Sequence, residues 1–252
     1  MNEFGTPRLD FATVTSTLDI AREVARHGAP HGTLITASHQ TSGRGRRGAS
    51  WLDRPAQSAL MTFILRPGSG SQISAWRVPF IASLACVRAL HSLGFAAAQV
   101  KWPNDLVIGG AKVGGILVES FDHTDSGPVY CLGIGINVTQ SSFPDSADYV
   151  LPPTSLLIAA EQDRLANIPT TVETVACVCE HLDVEWQAHH ECGDSLVNEW
   201  RKDMMVGHAQ RGISLTTGEV VSGELRDVRA TDGAALIETA VDELTAILPA
   251  AA

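Results

Sequence analysis

Residues 101–119 read KWPNDLVIGGAKVGGILVE, and the punctuation of this stretch decides the fold. Val100–Trp102 is a short β-rich run that Pro103 stops, so Asn104 and Asp105 project from its end, where a carboxylate can hold Mg2+ beside phosphates. Leu106–Ile108 resumes β character, Gly109-Gly110 suits a tight reversal, and Gly115–Ser120 follows as a further strand. Strands this closely spaced are joined by turns, which predicts a hairpin-connected sheet and an α+β chain. By average residue usage KWPND arises at about one position in ten million. An ordinary Asn-Asp turn with a packed tryptophan would explain the turn but not the lysine in front of it. Lys112, delivered by the glycine turn into Val113-Gly114-Gly115, is a candidate for stabilising charge that develops on a carboxylate or phosphoryl group. Taken alone, a turn lysine is usually just solvated.

Toward the N-terminus, Ser58–Leu65 reads as a buried strand ending before Pro67-Gly68, and Thr33–Ser38 as another. The loop between them carries Gly43-Arg44-Gly45-Arg46-Arg47-Gly48, preceded by Gln40 and followed by Trp51. Its glycines let backbone N–H groups approach a ligand, and its arginines supply forked donors for phosphate or carboxylate oxygens. The string alone leaves a basic surface loop or a nucleic-acid contact equally open. Before it, Ser16-Thr17 can cap a helix in which Ile20, Ala21, Val24 and Ala25 repeat at helical spacing until Gly28. Ala75–Leu93 is a second helical stretch, closed by Gly94.

Toward the C-terminus, Val129–Val138 is a strand holding Gly133-Ile134-Gly135-Ile136-Asn137, where glycines signal close approach of a ligand or of another backbone. Helices are expected at Ser155–Glu161 and Thr171–His189. Beyond Val206 the texture changes to short β runs at Ile213–Thr216, Val220–Leu225 and Ala234–Glu238, which predicts a main domain over 1–205 and a small β-barrel over 206–252.

The net charge of −10 repels nucleic acid, so local basic clusters are the informative ones. No apolar run approaches the ~20 residues of a membrane span. The N-terminus MNEFGTPRLD lacks the basic and then apolar segments of a secretory signal, and five cysteines are sparse and odd in number, so a cytoplasmic, reduced protein is expected. Cys177, Cys179, His181, His189, His190 and Cys192 cluster in sequence, but only Cys177 and His181 would share a helical face, and no zinc site is expected. No Ser-His-Asp set, HExxH, Walker loop or GxGxxG after a strand competes for an active site.

The four elements (Ser16-Thr17, the Arg/Gly loop, KWPND with the Lys112 strand, and the Gly133–Asn137 strand) resemble, in order and spacing, the catalytic domain of biotin protein ligases. That family has an α+β fold related to class II aminoacyl-tRNA synthetases, with a small C-terminal SH3-like β-barrel. The resemblance implies activation of biotin with ATP to biotinyl-5′-AMP, then transfer to a lysine of a biotin carboxyl carrier domain of a carboxylase. It implies that Ser16, Thr17, Gln40, Gly43, Arg44, Lys112 and Gly115 surround biotin, with Lys112 and Arg44 catalytic. Arg46, Arg47 and Trp51 would close over the adenylate, Asn104 and Asp105 would face ATP and Mg2+ with Asp105 the metal ligand, and Gly133 and Asn137 would line the nucleotide pocket.

Two departures stand out. Leu18-Asp19 occupies the place where the family often carries an asparagine. The chain closes on Ala246-Ile247-Leu248-Pro249-Ala250 instead of a strand ending Leu-Arg, so an incomplete barrel contributing no site residues is expected. Ser16-Thr17 lies too near the N-terminus for the DNA-binding domain some members carry, so no nucleic-acid partner is expected. A weak homodimer is left open. The competing readings are a lipoate-attaching enzyme of the same fold and a biotin-binding sensor without turnover. Pyrophosphate release separates them.

Overall fold

Ser58–Leu65 (β3) is buried along its whole length, and a strand buried on both faces needs cover on both. It lies within a seven-stranded sheet with Arg8–Val14 (β1), Leu34–Gln40 (β2), Ala98–Lys101 (β4), Asp105–Ile108 (β5), Ala111–His123 (β6) and Gly127–Asn137 (β7). The order is β1-β2-β3-β7-β6-β5-β4. Only β1 and β2 are parallel neighbours; the remaining pairs are antiparallel. The computed structural model describes residues 3–67, 73–123, 127–145, 149–190, 195–240 and 244–249, with Arg47, Asp122, His123 and Pro249 described in backbone only. The counts and absences below refer to these residues.

One face of the sheet carries Thr17–Arg26 (α1), whose Leu18, Ala21 and Ala25 pack on Ile35, Ile64, Val129 and Cys131. The other face carries Arg77–Ser92 (α2), buried nearly all round between the sheet and Thr171–His189 (α4). Leu156–Asp163 (α3) and Ser195–Lys202 (α5) complete that layer, with Leu156, Leu196 and Trp200 in the same core. Gly109 and Gly110 take φ of +58° and +80°, the left-handed pair that a two-residue turn between β5 and β6 demands.

The barrel departs from expectation. Ala209–Ser214 (β8), Val220–Val228 (β9), Ala235–Thr239 (β10) and Leu244–Pro249 (β11) form a closed barrel in the order β10-β11-β8-β9. The expected incompleteness is thus corrected: β11 pairs with both β10 and β8, and Ile247 is fully buried, so a Leu-Arg ending is not needed for closure. Ala250 lies outside the described residues. The barrel shares the main core, and Met204 and Met205 run beside β4, the Met205 N–H donating to the Val100 carbonyl at 2.8 Å.

Within the cysteine–histidine cluster, Cys177 and His181 have structural partners. Cys177 bonds the Ala89 carbonyl, His181 bonds Ser92, and no group of three metal-ligating side chains occurs among the described residues; Cys192 lies outside them. Among the described residues no helix is long and apolar enough to cross a membrane.

Candidate active site

A cavity of about 510 Å³ opens over the glycine-bearing middle of β6 and β7. Trp51 lies against that surface: a Cβ on Gly135 would stand 2.8 Å from two indole carbons, and one on Gly115 3.6 Å. Glycine at 135 is therefore what lets the ring descend onto the sheet. The loop that carries Trp51 is itself a small hairpin, its Trp51 N–H donating to the Gly43 carbonyl at 2.9 Å, with Arg44 and Ser50 bridged and a 3-10 turn at Arg46–Gly48. The indole Nε1 is buried without a hydrogen-bond partner.

Ser16 caps α1, its hydroxyl accepting from the Leu18 N–H at 3.3 Å. Gln40 at the end of β2 accepts from both the Thr17 N–H, at 2.8 Å, and the Thr17 hydroxyl, at 3.1 Å, while Thr62 donates to that hydroxyl. This relay fixes a polar wall across the open end of the helix. Arg44 reaches over it to Asp19 at 2.5 Å and to Glu119 at 3.2 Å. Burial alone would raise the Asp19 carboxyl, but hydrogen bonds from Arg44 and Thr15 hold it below its usual range.

The KWPND segment is the turn between β4 and β5, which brings Lys101 opposite Asp105. Asn104 is bound on every side. Its Nδ2 donates to the Ile116 carbonyl at 2.7 Å, its carbonyl accepts from the Ile116 N–H, and its Oδ1 accepts from Arg46 at 3.0 Å. It thereby ties the Arg/Gly loop to β6. Lys112 is held by backbone bonds to Pro152 and Thr154, and its Nζ lies 2.6 Å from an Asp105 carboxylate oxygen.

Of the residues expected at the site, Ser16, Thr17, Gln40, Arg44, Arg46, Trp51, Asn104, Asp105, Lys112, Gly115 and Gly133 line this cavity. Gly43 lines the adjoining outer groove, buried so tightly that a Cβ would stand 2.6 Å from the Trp51 carbonyl. Arg47 lies in the 3-10 turn, and its side chain is not among those described. Asn137 does not line the cavity. It is buried behind β7, donating to the Thr154 carbonyl at 3.0 Å and accepting from Gln140 at 3.2 Å. A polar residue in a strand looks alike whether it serves a ligand or a buried network.

The lining residues outside the expected set include Lys101, Gln210 and Arg211. The signal for Lys101 was present, since KWPND begins with it. Its side chain is 6% exposed, and burial draws its pKa down while Asp105 draws it up. Gln210 and Arg211 come from β8, so the barrel forms one wall of the cavity, contrary to the expectation that it contributes no site residue. Gln210 donates to the Trp102 carbonyl at 2.9 Å, and the Trp102 indole donates to the Gly233 carbonyl at 3.0 Å. Among the described residues the cavity thus gathers the cations Arg44, Arg46, Lys101, Lys112 and Arg211 around one carboxylate, Asp105. In a chain of net charge −10 such a concentration is suited to a phosphate-bearing or carboxylate ligand.

Comparison with known proteins agrees with this geometry. Residues 10–138, just over half of the chain, match the biotin/lipoate A/B protein ligase family. The chain is 35% identical over 157 residues to the bifunctional ligase/repressor BirA of Bacillus spizizenii, which covers 62% of this chain and 48% of that protein, so the match spans about half of that relative's length. The biotin–[acetyl-CoA-carboxylase] ligase of Mycobacterium tuberculosis is 29% identical over 228 residues, 86% of this chain and 77% of that one. The biotin protein ligase from Aquifex aeolicus, solved in complex with biotin and ATP, superimposes with a TM-score of 0.77 at 23% identity over 96% of each chain, which shows a common fold. Family match, fold and cavity converge: the chain belongs to the biotin/lipoate A/B protein ligase family.

Proposed function

We propose that this protein activates biotin with ATP to biotinyl-5′-AMP, releasing pyrophosphate, and then transfers biotin to a lysine of a carboxylase's biotin carboxyl carrier domain. The observation that carries this reading is the cavity itself, in which five cations meet a neutral polar wall of Thr17 and Gln40. A carboxylic acid and a polyphosphate are both anions, and bringing them together requires that combination of charge and hydrogen bonding.

In the first step the biotin carboxylate attacks the α-phosphate, and the bond to pyrophosphate breaks. Negative charge gathers on the oxygens around the α-phosphorus, where Lys112, Lys101, Arg46 and Arg211 offset it. Lys112 is the residue assigned to the shared oxygen, because its backbone is fixed on both sides and Asp105 orients its ammonium. In the second step the carrier lysine's amine attacks the acyl carbonyl, AMP leaves, and the amine's proton passes to solvent. Trp51 and Arg46 keep water from the mixed anhydride in the interval.

Mg2+ accompanies ATP in such chemistry, yet the residues do not fit a resident magnesium site. The cavity's carboxylate, Asp105, is occupied by the Lys112 ammonium, and Mg2+ bound by a protein ordinarily takes one or two free carboxylates beside substrate phosphates.

Biotin-dependent exchange of labelled pyrophosphate into ATP, with lipoate as the parallel acid, tests the reading. Exchange with biotin and not lipoate supports it. Exchange with lipoate alone assigns the chain to lipoate attachment, and biotin binding without exchange to sensing.

A further inference from the structure

We propose that Asp19 and Glu119 are positioning residues for Arg44: they hold its two terminal nitrogens and so fix the direction in which its guanidinium meets the acid substrate at the cavity wall. The inference rests on the reading above only for the identity of the acid. Arg44 Nη1 lies 2.5 Å from Asp19 Oδ1 and Nη2 lies 3.2 Å from Glu119 Oε1, whereas Nε is buried and has no hydrogen-bond partner among the described residues. A buried donor left unpaired is costly unless a ligand accepts from it.

Each carboxylate of the clasp is itself anchored. Asp19 accepts from the Thr15 hydroxyl at 3.0 Å, and Glu119 meets Arg22 at 3.2 Å. Asp19 and Arg22 stand three apart on α1, and Glu119 is on β6, so the chain Thr15–Asp19–Arg44–Glu119–Arg22 stitches the mobile-by-composition Arg/Gly loop to two rigid elements. These side chains are 23–45% exposed, and pairs so exposed contribute little to stability. Their consequence is geometric: without them Arg44 keeps its charge but loses its direction.

The test uses Asp19→Asn and Glu119→Gln in the full chain. Each is expected to raise the KM for the acid about tenfold with kcat within about twofold, the scale of one misaligned charge-assisted contact. The thermal midpoint should stay within about 2 °C, because an exposed pair is removed. Asp19→Glu should recover most of the loss. In an Arg44→Ala background Asp19→Asn should add nothing, since a residue acting through Arg44 has no effect without it. A readout that needs no acid is the Arg44 Nε–H in proton–nitrogen spectra. It should exchange slowly with water in the parent chain and rapidly in Asp19→Asn. Additive losses in the Arg44→Ala background, or an Nε–H that exchanges rapidly in the parent, would overturn the proposal. A parent chain with a protected Nε–H but no exchange with either acid would sink the functional reading and leave this one standing.

Discussion

Replacing Gly135 by alanine adds one methyl group at the place where Trp51 rests on the sheet. The added carbon would stand 2.8 Å from the indole Cε2 and Cζ2 atoms and 3.3 Å from Cδ2. Carbon atoms pack at about 3.5–4.0 Å, so the ring must withdraw by roughly 0.7 Å or more. It cannot slide freely, because the Trp51 N–H is bonded to the Gly43 carbonyl and Gly43 has no slack against the same residue. Overpacking of this kind costs about 1–3 kcal/mol. Charged to the closed loop, that is a five- to 150-fold fall in its population. The assay is chromatographic: free biotinyl-adenylate released per pyrophosphate formed, in parent and variant. Release should rise by at least fivefold in Gly135→Ala, and the same substitution in a Trp51→Leu background should add almost nothing, since no ring remains to be displaced. Unchanged retention in Gly135→Ala, or an equal effect without Trp51, would refute the role given to that contact.

Lys112→Ala should lower pyrophosphate exchange by about a hundredfold or more; exchange within a few-fold of the parent would remove Lys112 from the chemistry. Trp102→Phe deletes the indole bond to the Gly233 carbonyl and should cost about 1 kcal/mol of stability. Because Gln210 and Arg211 follow the same junction, its KM for ATP should rise while calorimetric affinity for biotin holds, and a loss confined to biotin would contradict the place proposed for Arg211 beside the phosphate. Burial pushes His208 down from 6.5 to about 4, so the unfolded chain binds a proton that the folded chain refuses between those values. Stability is therefore complete above about pH 6.5 and falls toward pH 4, by on the order of 2 kcal/mol for a half-buried ring. Thermal midpoints measured from pH 7.5 to 4.5 should drop more steeply in the parent than in His208→Gln, and parallel slopes would count against it.

Ser58–Leu65 and Thr171–His189 have the boundaries their patterns predict, because a run of apolar residues and a long amphipathic segment with a Thr170 cap leave little choice. β1 escaped notice for the opposite reason. RLDFATV is mostly exposed at the sheet edge, and only its parallel pairing with β2, a long-range fact, makes it a strand. The cavity was legible wherever a residue type was improbable for a mere turn or loop, as in the Arg/Gly loop and KWPND. Arg211 was not, since an arginine in a short barrel strand carries no local sign that the barrel folds back over the sheet. Asn137 shows the converse: a conspicuous polar residue beside two glycines that serves Thr154 and Gln140 instead.

The closed barrel has a consequence for the order in which the molecule becomes competent. β8 presents Arg211 to the cavity, and β8 is held at one edge by β11, the last strand described in the chain. During vectorial synthesis the sheet that bears every recognisable motif is complete by residue 137, long before that wall exists. A nascent chain can therefore assemble the sheet-side floor of the cavity early while the barrel-side wall stays open, and the cavity is complete only once β11 has closed the barrel. A protease cut between β10 and β11 should therefore act as an off-switch working at a distance from every conspicuous residue.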